Sequence, residues 1–291
     1  MSADLLFVNG PVFTADPARS FARALAVEDG KITAVGSESD VLLAVGSKTL
    51  VVDLAGRMLT PGFQDAHCHP WSSGLDLLRC SFANCDNAED GVAFVARYAA
   101  DNPESPWILG GGWQQTWFPR GCPPKGLLDE VVPDRPVFLY NADGHGAWAN
   151  SLALSMAGVD ASTVDPPDGR IERDETGEPQ GTLHEGAAHL VERLVPDDSP
   201  EEMRQGVLAA QRYLLSKGVT AWQDAHVDVE THRAYRALDA AGELIGSAVG
   251  AMWWDRNLGL DQIERLEAMR AETSGKYRSV SVKLMLDGVV E

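Results

Sequence analysis

The sequence is poor in basic residues. Its 24 lysines and arginines stand against 43 aspartates and glutamates, which gives a formal net charge of −19. Nucleic acids and anionic membranes both attract basic surfaces, so this balance argues against either as a partner. The acidic residues are spread along the chain, and we interpret them as a solvated surface.

Cysteines and long apolar runs are also scarce. The four cysteines form no Cys-x-x-Cys pair and do not have the density of a disulfide framework. No stretch reaches the roughly 18 apolar residues that a membrane-spanning helix needs. The first ten residues, MSADLLFVNG, lack a basic segment followed by a long apolar run, so we expect no signal peptide. The expectation is a soluble cytoplasmic protein.

Several common catalytic motifs are missing. Gly110-Gly111-Gly112-Trp113 lacks the spacing of a dinucleotide site, and there is no Walker loop or Gly-x-Ser-x-Gly elbow. His184-Glu185 is followed by a histidine at 189, one position later than in His-Glu-x-x-His. On a helix, five steps would leave the two rings about 140° apart, so we reject a zinc-protease motif.

What is present is an alternation of strand-like and helix-like segments in a chain of 291 residues, 44% of them hydrophobic. Residues 4 to about 58 read as strands, with a hairpin at Asp29-Gly30. Beyond residue 70 the segments alternate; AEDGVAFVARYAAD, HGAWANSLALSMAG and EEMRQGVLAAQRYLLSKG read as helices, the last with Ser199 as its cap. Residues 159–178 read as a long surface loop. This alternation favours an α/β protein with a parallel sheet or barrel.

Two histidines one residue apart follow an apolar strand in TPGFQDAHCHP, residues 60–70. Side chains alternate along a strand, so Asp65, His67 and His69 would face the same way. Neutral imidazole is a good ligand for zinc and similar divalent ions. Two histidines one residue apart also occur by chance, as packed or solvated side chains. The surrounding sequence has to decide between a metal site and such a chance pair.

This stretch resembles the strand-one signature of the amidohydrolase superfamily. NADGHGAWANSLAL, PPDGRIERDETGEPQGTLHE, GVTAWQDA and VKLMLDG resemble, in order and spacing, its amidohydrolase-3 or YtcJ-like branch, which includes N-substituted formamide deformylases. The resemblance implies a TIM-type (β/α)8 metal-dependent hydrolase barrel flanked by a small β-sandwich. Residues 1–58 would form the N-terminal part of the sandwich and residues 59–291 that of the barrel, with an inserted segment around 100–185.

The resemblance also implies a set of site residues. His67, His69 and Lys283 would hold one or two divalent ions, zinc in the first place, with Lys283 carboxylated as a bridging carbamate. A desolvated lysine keeps the free amine that this reaction needs, although a lysine that snorkels or forms a salt bridge is the alternative. His145 would contact the substrate or the transition state; as a loop histidine, it would only cap the next helix.

Three further positions are weighed from the residues. Trp113, after the glycine run, would form an apolar wall of the substrate pocket. Asp224, at the end of GVTAWQDA, would orient a ligand or cap a helix. Gln-Asp-Ala-His occurs twice, at 64–67 and 223–226, each time at the end of a predicted strand. Similar demands at the catalytic end of a barrel are one explanation; we interpret the repeat as chance and His226 as a loop histidine.

The predicted function is hydrolysis of a non-peptide C–N bond, in an amide, formamide or cyclic amide of a small molecule. The family's remaining histidine ligands and its catalytic aspartate would follow the lysine segment, and the chain stops eight residues after Lys283. We therefore expect completion by a C-terminal half or by a partner chain, such as a homo-oligomer. A related metal-barrel lyase or isomerase, or an inactive fragment, are the alternatives.

Overall fold

The computed structural model describes residues 2–272 and 275–285. The chain divides between Gln64 and Asp65 into two compact units, whereas the sequence analysis put the boundary after residue 58. Each unit is described by itself below. Within the described residues, no helix combines the length and the apolar character that crossing a membrane requires.

The first unit is a small mixed sheet with one short helix. Its strands pair in the order β5-β4-β1-β6, and Leu6, Ala24 and Val41 form the centre of its core. Asp29 and Gly30 both have positive φ, 49° and 71°, as expected for the turn of the β4–β5 hairpin. The elements are β1 (Leu5–Val8), β2 (Val12–Phe13), β3 (Phe21–Ala22), β4 (Ala24–Glu28), β5 (Lys31–Gly36), α1 (Glu38–Val41) and β6 (Leu50–Asp53).

The second unit contains two sheets. The first is six-stranded, in the order β12-β13-β11-β10-β9-β8, and it is parallel from β8 to β10 and antiparallel beyond. It comprises β8 (Cys80–Ser81), β9 (Ile108–Trp113), β10 (Val137–Asn141), β11 (Gly146–Ala149), β12 (Gly169–Arg173) and β13 (Pro179–Glu185). The helices that accompany it are α3 (Ala88–Asp101), α4 (Gly126–Val131), α5 (Ser151–Ala157) and α6 (His189–Glu192).

The other sheet is four-stranded, in the order β16-β15-β14-β7. Its last three strands in sequence are parallel to one another, and they are joined by helices. The elements are β7 (Phe63–Cys68), α2 (Pro70–Leu78), α7 (Pro200–Ser216), β14 (Val219–Val227), α8 (Val229–Ala240), β15 (Ser247–Trp253), α9 (Ile263–Ala271) and β16 (Tyr277–Lys283). The prediction of an α/β protein is confirmed; the closed barrel and the sandwich stay predictions.

Most predicted elements appear, with two exceptions. α3 covers the predicted segment, and Ser199 caps α7 in a reciprocal pair with Glu202. The segment HGAWANSLALSMAG was wrongly predicted as one helix: it is strand β11 followed by α5. Asn150 caps α5 by accepting a hydrogen bond from the Ala153 N–H, and it therefore separates the two. The predicted loop at 159–178 was wrong at 169–173, which pairs with β13 as β12.

Candidate metal centre

His67 and His69 lie at the junction of strand β7 and helix α2. β7 ends at Cys68, and His69 occupies the cap position of α2. The two imidazole rings lie 5.5 Å apart between centroids, at 87° to each other. Zinc–nitrogen bonds of about 2.0–2.1 Å at tetrahedral angles place two ring centroids roughly 5–6 Å apart. The separation of the pair therefore fits two imidazoles on one ion.

The repeated Gln-Asp-Ala-His sequence forms the same local turn twice. The backbone N–H of His67 donates to Asp65 Oδ1 at 2.9 Å, and that of His226 donates to Asp224 Oδ1 at 3.1 Å. Aspartate commonly makes this bond to its own backbone two residues on. The interpretation of His226 as a loop histidine was wrong, because His226 belongs to β14.

A β-bulge decides which way His226 faces. β14 advances three residues, from Asp224 to Val227, while the paired stretch of β15 advances two. Asp224 accepts a hydrogen bond from the Tyr235 hydroxyl on α8, and Val227 packs against Leu266 on α9, so both face the helices. Strict alternation would put His226 on the side of Asp224; the extra residue of the bulge places it on the other.

The ring of His226 consequently lies beside the histidine pair. Its centroid is 6.5 Å from that of His69 and 4.3 Å from the Trp253 ring. Desolvation lowers the pKa of His226, with Asp228 opposing and Lys283 adding to that effect. The neutral imidazole favoured in this way is the form that binds metal ions. The sequence analysis missed His226, and the Gln-Asp-Ala-His repeat was the signal that could have identified it.

Lys283 is the last residue of β16, the strand at the opposite edge of the sheet from β7. It pairs with Trp253 in the β15–β16 register. Desolvation, and then the neighbouring charges of His67, His226 and Lys283, lower the pKa of His69. The structure therefore places His67 and His69 beside His226, and it places Lys283 at the end of β16 in the same four-stranded sheet. Alternation along the strand also predicts that Asp287 shares the face of Lys283, and Asp287 lies outside the described residues.

Asp224 has a different environment from the one predicted. Its side chain is fully buried and accepts hydrogen bonds from the Tyr235 hydroxyl at 3.1 Å and from the His226 backbone. Burial raises the pKa of this carboxyl to about 7. Asp224 thus holds β14 against α8 and shapes the turn that carries His226, and it has no surface with which to touch a substrate.

Trp113 is likewise a core residue. It is 1% exposed, its indole N–H donates to the Leu139 carbonyl at 2.9 Å, and its ring packs edge-on against Phe118 and Trp148. The neighbouring glycines serve strand pairing, since a Cβ at Gly111 would lie 2.5 Å from the Tyr140 carbonyl oxygen. This placement leaves Trp113 no face for a substrate, and we do not carry it into the proposed site.

His145 immediately precedes β11, an interior strand of the six-stranded sheet. Its Nδ1 is 3.1 Å from Glu185 Oε1, and its backbone N–H donates to Asp143 Oδ1 at 3.0 Å. Asp143 and Gly144, its chain neighbours, line the same cleft as His69. The structure thus brings the segment that carries His145 to the cleft, while the ring itself is held by Glu185.

This cleft, of about 630 Å³, separates His69 from the loop after β10. Asn141 lines it, and its side chain is 4% exposed. Its Oδ1 accepts the Gly146 N–H at 3.0 Å, whereas its Nδ2 has no hydrogen-bond partner among the described residues. A buried donor without a partner is costly and marks a place where a ligand can supply the acceptor. Asn141 belongs to the Asn-Ala-Asp-Gly-His-Gly stretch, in which only His145 was predicted as a site residue.

Comparison with known proteins gives a consistent result. The model of the Amidohydrolase family matches residues 50–291. N-substituted formamide deformylase of Arthrobacter pascens is 33% identical over 248 residues, which are 83% of this chain and 46% of that protein. Protein LONG AFTER FAR-RED 3 of Arabidopsis thaliana is 38% identical over 218 residues, 75% of this chain and 37% of that protein. YtcJ of Bacillus subtilis is 32% identical over 199 residues, 68% of this chain and 38% of that protein.

The solved structures agree on the fold. A metal-dependent hydrolase from Pyrococcus furiosus matches with a TM-score of 0.71 at 23% identity, over 98% of this chain and 57% of that one. At this identity the likeness concerns the fold alone. The chain spans between 37% and 46% of the length of the three curated relatives described above.

Proposed function

Because this chain belongs to the amidohydrolase family, in the branch of N-substituted formamide deformylase and YtcJ, we propose that it carries the first half of a metal centre that hydrolyses a C–N bond. The substrate class is a small amide, formamide or cyclic amide. The observation that supports the proposal is the grouping of the His67, His69 and His226 rings, with Lys283 at the end of another strand of the same four-stranded sheet.

His67 and His69 would hold a divalent ion, zinc in the first place, and Lys283 would add a third ligand. The lysine amine becomes an anionic ligand by adding carbon dioxide and losing a proton, which forms a carbamate. A divalent ion lowers the pKa of a bound water and polarises a carbonyl, the two requirements of amide hydrolysis. The number of ions, one or two, is part of the proposal.

The residues across the cleft would position the substrate. Asn141 lines the cleft, and its buried Nδ2 has no hydrogen-bond partner among the described residues, so it would donate to the carbonyl oxygen of an amide that enters deeply enough to reach it. Asn141 Oδ1 is already occupied by the Gly146 N–H, which fixes the orientation of the side-chain amide. Glu185 holds the ring of His145 through Nδ1, and we propose that His145 contacts the substrate from that position.

We further propose that the parallel strands β14, β15 and β16, together with β7, belong to a (β/α)8 barrel with a flanking β-sandwich. The remaining barrel strands would come from a C-terminal half or from a partner chain, such as a second copy. An open sheet exposes unpaired strand edges, which supports completion of this kind. A cytoplasmic location also stays a prediction.

The first test is metal content per chain, measured by inductively coupled plasma mass spectrometry on protein purified without chelators. We expect about one or two equivalents of zinc or a similar ion in the wild type. The His67→Ala/His69→Ala variant should hold less metal per chain than the wild type by the equivalents of this centre, whereas His189→Ala, a change at an exposed histidine with a 71% accessible side chain, should match the wild type. Equal metal content in all three proteins would contradict the proposed centre.

The second test is a substrate series of formamides, linear amides and cyclic amides with the protein carrying its complete barrel. We expect turnover of at least one C–N substrate, with incorporation of oxygen from labelled water into the acid product. Turnover without incorporation would indicate a lyase or an isomerase instead. Absence of turnover across the series in a metal-loaded protein would contradict hydrolysis.

A further inference from the structure

A second group of metal-ligating side chains lies in the six-stranded sheet and shares no residue with the centre proposed above. It consists of Cys122, Glu172 and His184. One ligand atom from each residue lies within 4.8 Å of the others. Cys122 Sγ is 3.9 Å from His184 Nε2, and Glu172 Oε1 is 3.3 Å from the same nitrogen.

The strand pairing explains why these side chains meet. His184 on β13 lies opposite Arg170 on β12, and Glu172 is the next residue of β12 on the same face. Cys122 arrives on a separate segment between β9 and α4, and it is 5% exposed. The side chains of Glu172 and His184 are 15% and 23% exposed, so a bound ion would be largely shielded from solvent.

The segment that carries Cys122 is fixed to the same strand. The Gln180 side chain donates to the Cys122 carbonyl at 2.9 Å, and the Thr182 hydroxyl donates to the Pro123 carbonyl at 2.9 Å. Both residues precede His184 on β13. Two hydrogen bonds therefore fix the segment of the cysteine to the strand of the histidine, and little ordering would be needed on binding.

A cysteine, a histidine and a glutamate in contact can also form a nucleophilic relay. In such a relay the thiol meets one ring nitrogen and the carboxylate meets the other. Here the thiol and the carboxylate both approach Nε2 of His184. Three donor atoms that converge on one point are arranged as ligands of a common ion, and the arrangement does not fit a relay.

We propose that Cys122, Glu172 and His184 bind a zinc ion or a similar borderline divalent ion. Thiolate, imidazole and carboxylate are the ligands that zinc takes in proteins. Its bond lengths of about 2.0–2.3 Å imply ligand-to-ligand separations of roughly 3.3–3.8 Å, close to the two separations observed here. Binding replaces the thiol proton, which is released to solvent, and leaves one position of a tetrahedral ion open.

Arg170 is the group that competes with such an ion. Its Nε donates to Glu172 Oε1 at 2.7 Å, and its side chain is 64% exposed. A long exposed side chain can move into solvent when a cation takes its place. Replacing this arginine therefore distinguishes the proposal from a purely structural role of Glu172, because removal of a competing cation should tighten metal binding.

The proposal is tested with cobalt as the probe, in the full chain carrying His67→Ala/His69→Ala. We expect a near-ultraviolet thiolate-to-cobalt charge-transfer band, lost in Cys122→Ser and kept in Cys85→Ser. Glu172→Gln should weaken cobalt binding more than about 10-fold, since even residues that only contact metal ligands commonly change affinity by that much. Arg170→Gln should bind cobalt more tightly than the parent.

If the double histidine variant does not fold, the proposal is tested by comparing the number of zinc ions per chain in the wild type and in folded Cys122→Ser. A loss of about one equivalent supports the site. An unchanged stoichiometry, an absent charge-transfer band or a band that depends on Cys85 overturns it. Each of these results leaves the centre at His67 and His69 to be judged by its own test, so failure of one proposal is distinguishable from failure of the other.

Discussion

The rings of His69 and His226 lie 6.5 Å apart between centroids, perpendicular to each other, although they come from different strand ends. β7 and β14 are neighbours in the sheet, and each carries the Gln-Asp-Ala-His sequence at its end. The same aspartate-to-backbone bond forms in both copies. Two copies of one local structure on adjacent strands therefore bring a third imidazole to the histidine pair.

We expect His226→Ala to weaken zinc binding at this centre by about 10- to 100-fold, whether the imidazole binds the ion or supports its ligands. The measurement is competition with a chelator of known affinity, in a Cys122→Ser background that removes the second proposed site. His189→Ala is the matched control, because that imidazole is exposed. If His226→Ala binds zinc as tightly as the control, His226 neither binds the ion nor supports its ligands.

Asn150 should be among the most sensitive positions for folding. Its buried side chain accepts from the Val137 and Ala153 N–H groups and donates to the Val132 and Arg135 carbonyls. Asn150→Ala leaves these groups unpaired and should lower the free energy of unfolding by about 3 kcal/mol.

The measurement is urea denaturation, followed by far-ultraviolet circular dichroism. The exposed Asn257 provides the control, and Asn257→Ala should change the free energy of unfolding by less than about 0.5 kcal/mol. Asn150→Asp should also destabilise, because it replaces the two N–H donors of the amide with a carboxylate oxygen that faces the Val132 and Arg135 carbonyl oxygens. Similar midpoints for Asn150→Ala and Asn257→Ala would contradict the role given to this side chain.

The capping box of α7 predicts a pH-dependent contribution to stability. The Ser199 hydroxyl and backbone N–H donate to the Glu202 carboxylate, and these bonds lower the pKa of Glu202. A lowered pKa in the folded state favours folding above the unfolded pKa of about 4.3, and this contribution is lost as pH falls through the folded value.

Ser199→Ala should therefore cost about 1 kcal/mol at pH 7 and less at pH 3. Thermal unfolding at the two pH values measures the difference. Glu202→Gln keeps an acceptor but removes the titration, so its stability relative to the wild type should also shift between the two pH values. A destabilisation by Ser199→Ala that is the same at pH 3 and pH 7 would contradict the linkage.

The four thiols should differ in reactivity. Burial raises the pKa of Cys68 and Cys80 to about 12, so at pH 8 their thiolate fraction is about 10⁻⁴. Cys122 is buried, whereas Cys68 and Cys85 are both partly exposed, and of these two Cys68 is the one with a pKa of about 12. Iodoacetamide should therefore alkylate Cys85 first in the native protein, as measured by mass spectrometry of the peptides.

The denatured protein serves as the control for this experiment, since all four cysteines should then react at similar rates. Alkylation of Cys80 in the native protein at the rate of Cys85 would mean that the six-stranded sheet opens more readily than its buried core implies.

The sequence predicted the local elements well. A capping serine and an apolar stripe were sufficient for α7, and Asp29-Gly30 was sufficient for the β4–β5 turn. These features depend on neighbours within a few residues, which the sequence contains directly. The segment at 146–157 was wrongly predicted as one helix, because Asn150 divides it into a strand and a helix. The strand forms by pairing with β10 and β13, and these pairings cannot be read from the segment itself.

The sequence by itself determined the pair His67 and His69, the lysine at the end of the last described strand and the membership of the family. Tertiary structure decided the rest. A bulge turned His226 toward the pair, packing against Phe118 and Trp148 buried Trp113, and the β12–β13 pairing brought Glu172 to His184. The physical reason is that the direction of a side chain depends on strand register and on long-range packing, and neither can be read from the alternation of residues along the chain.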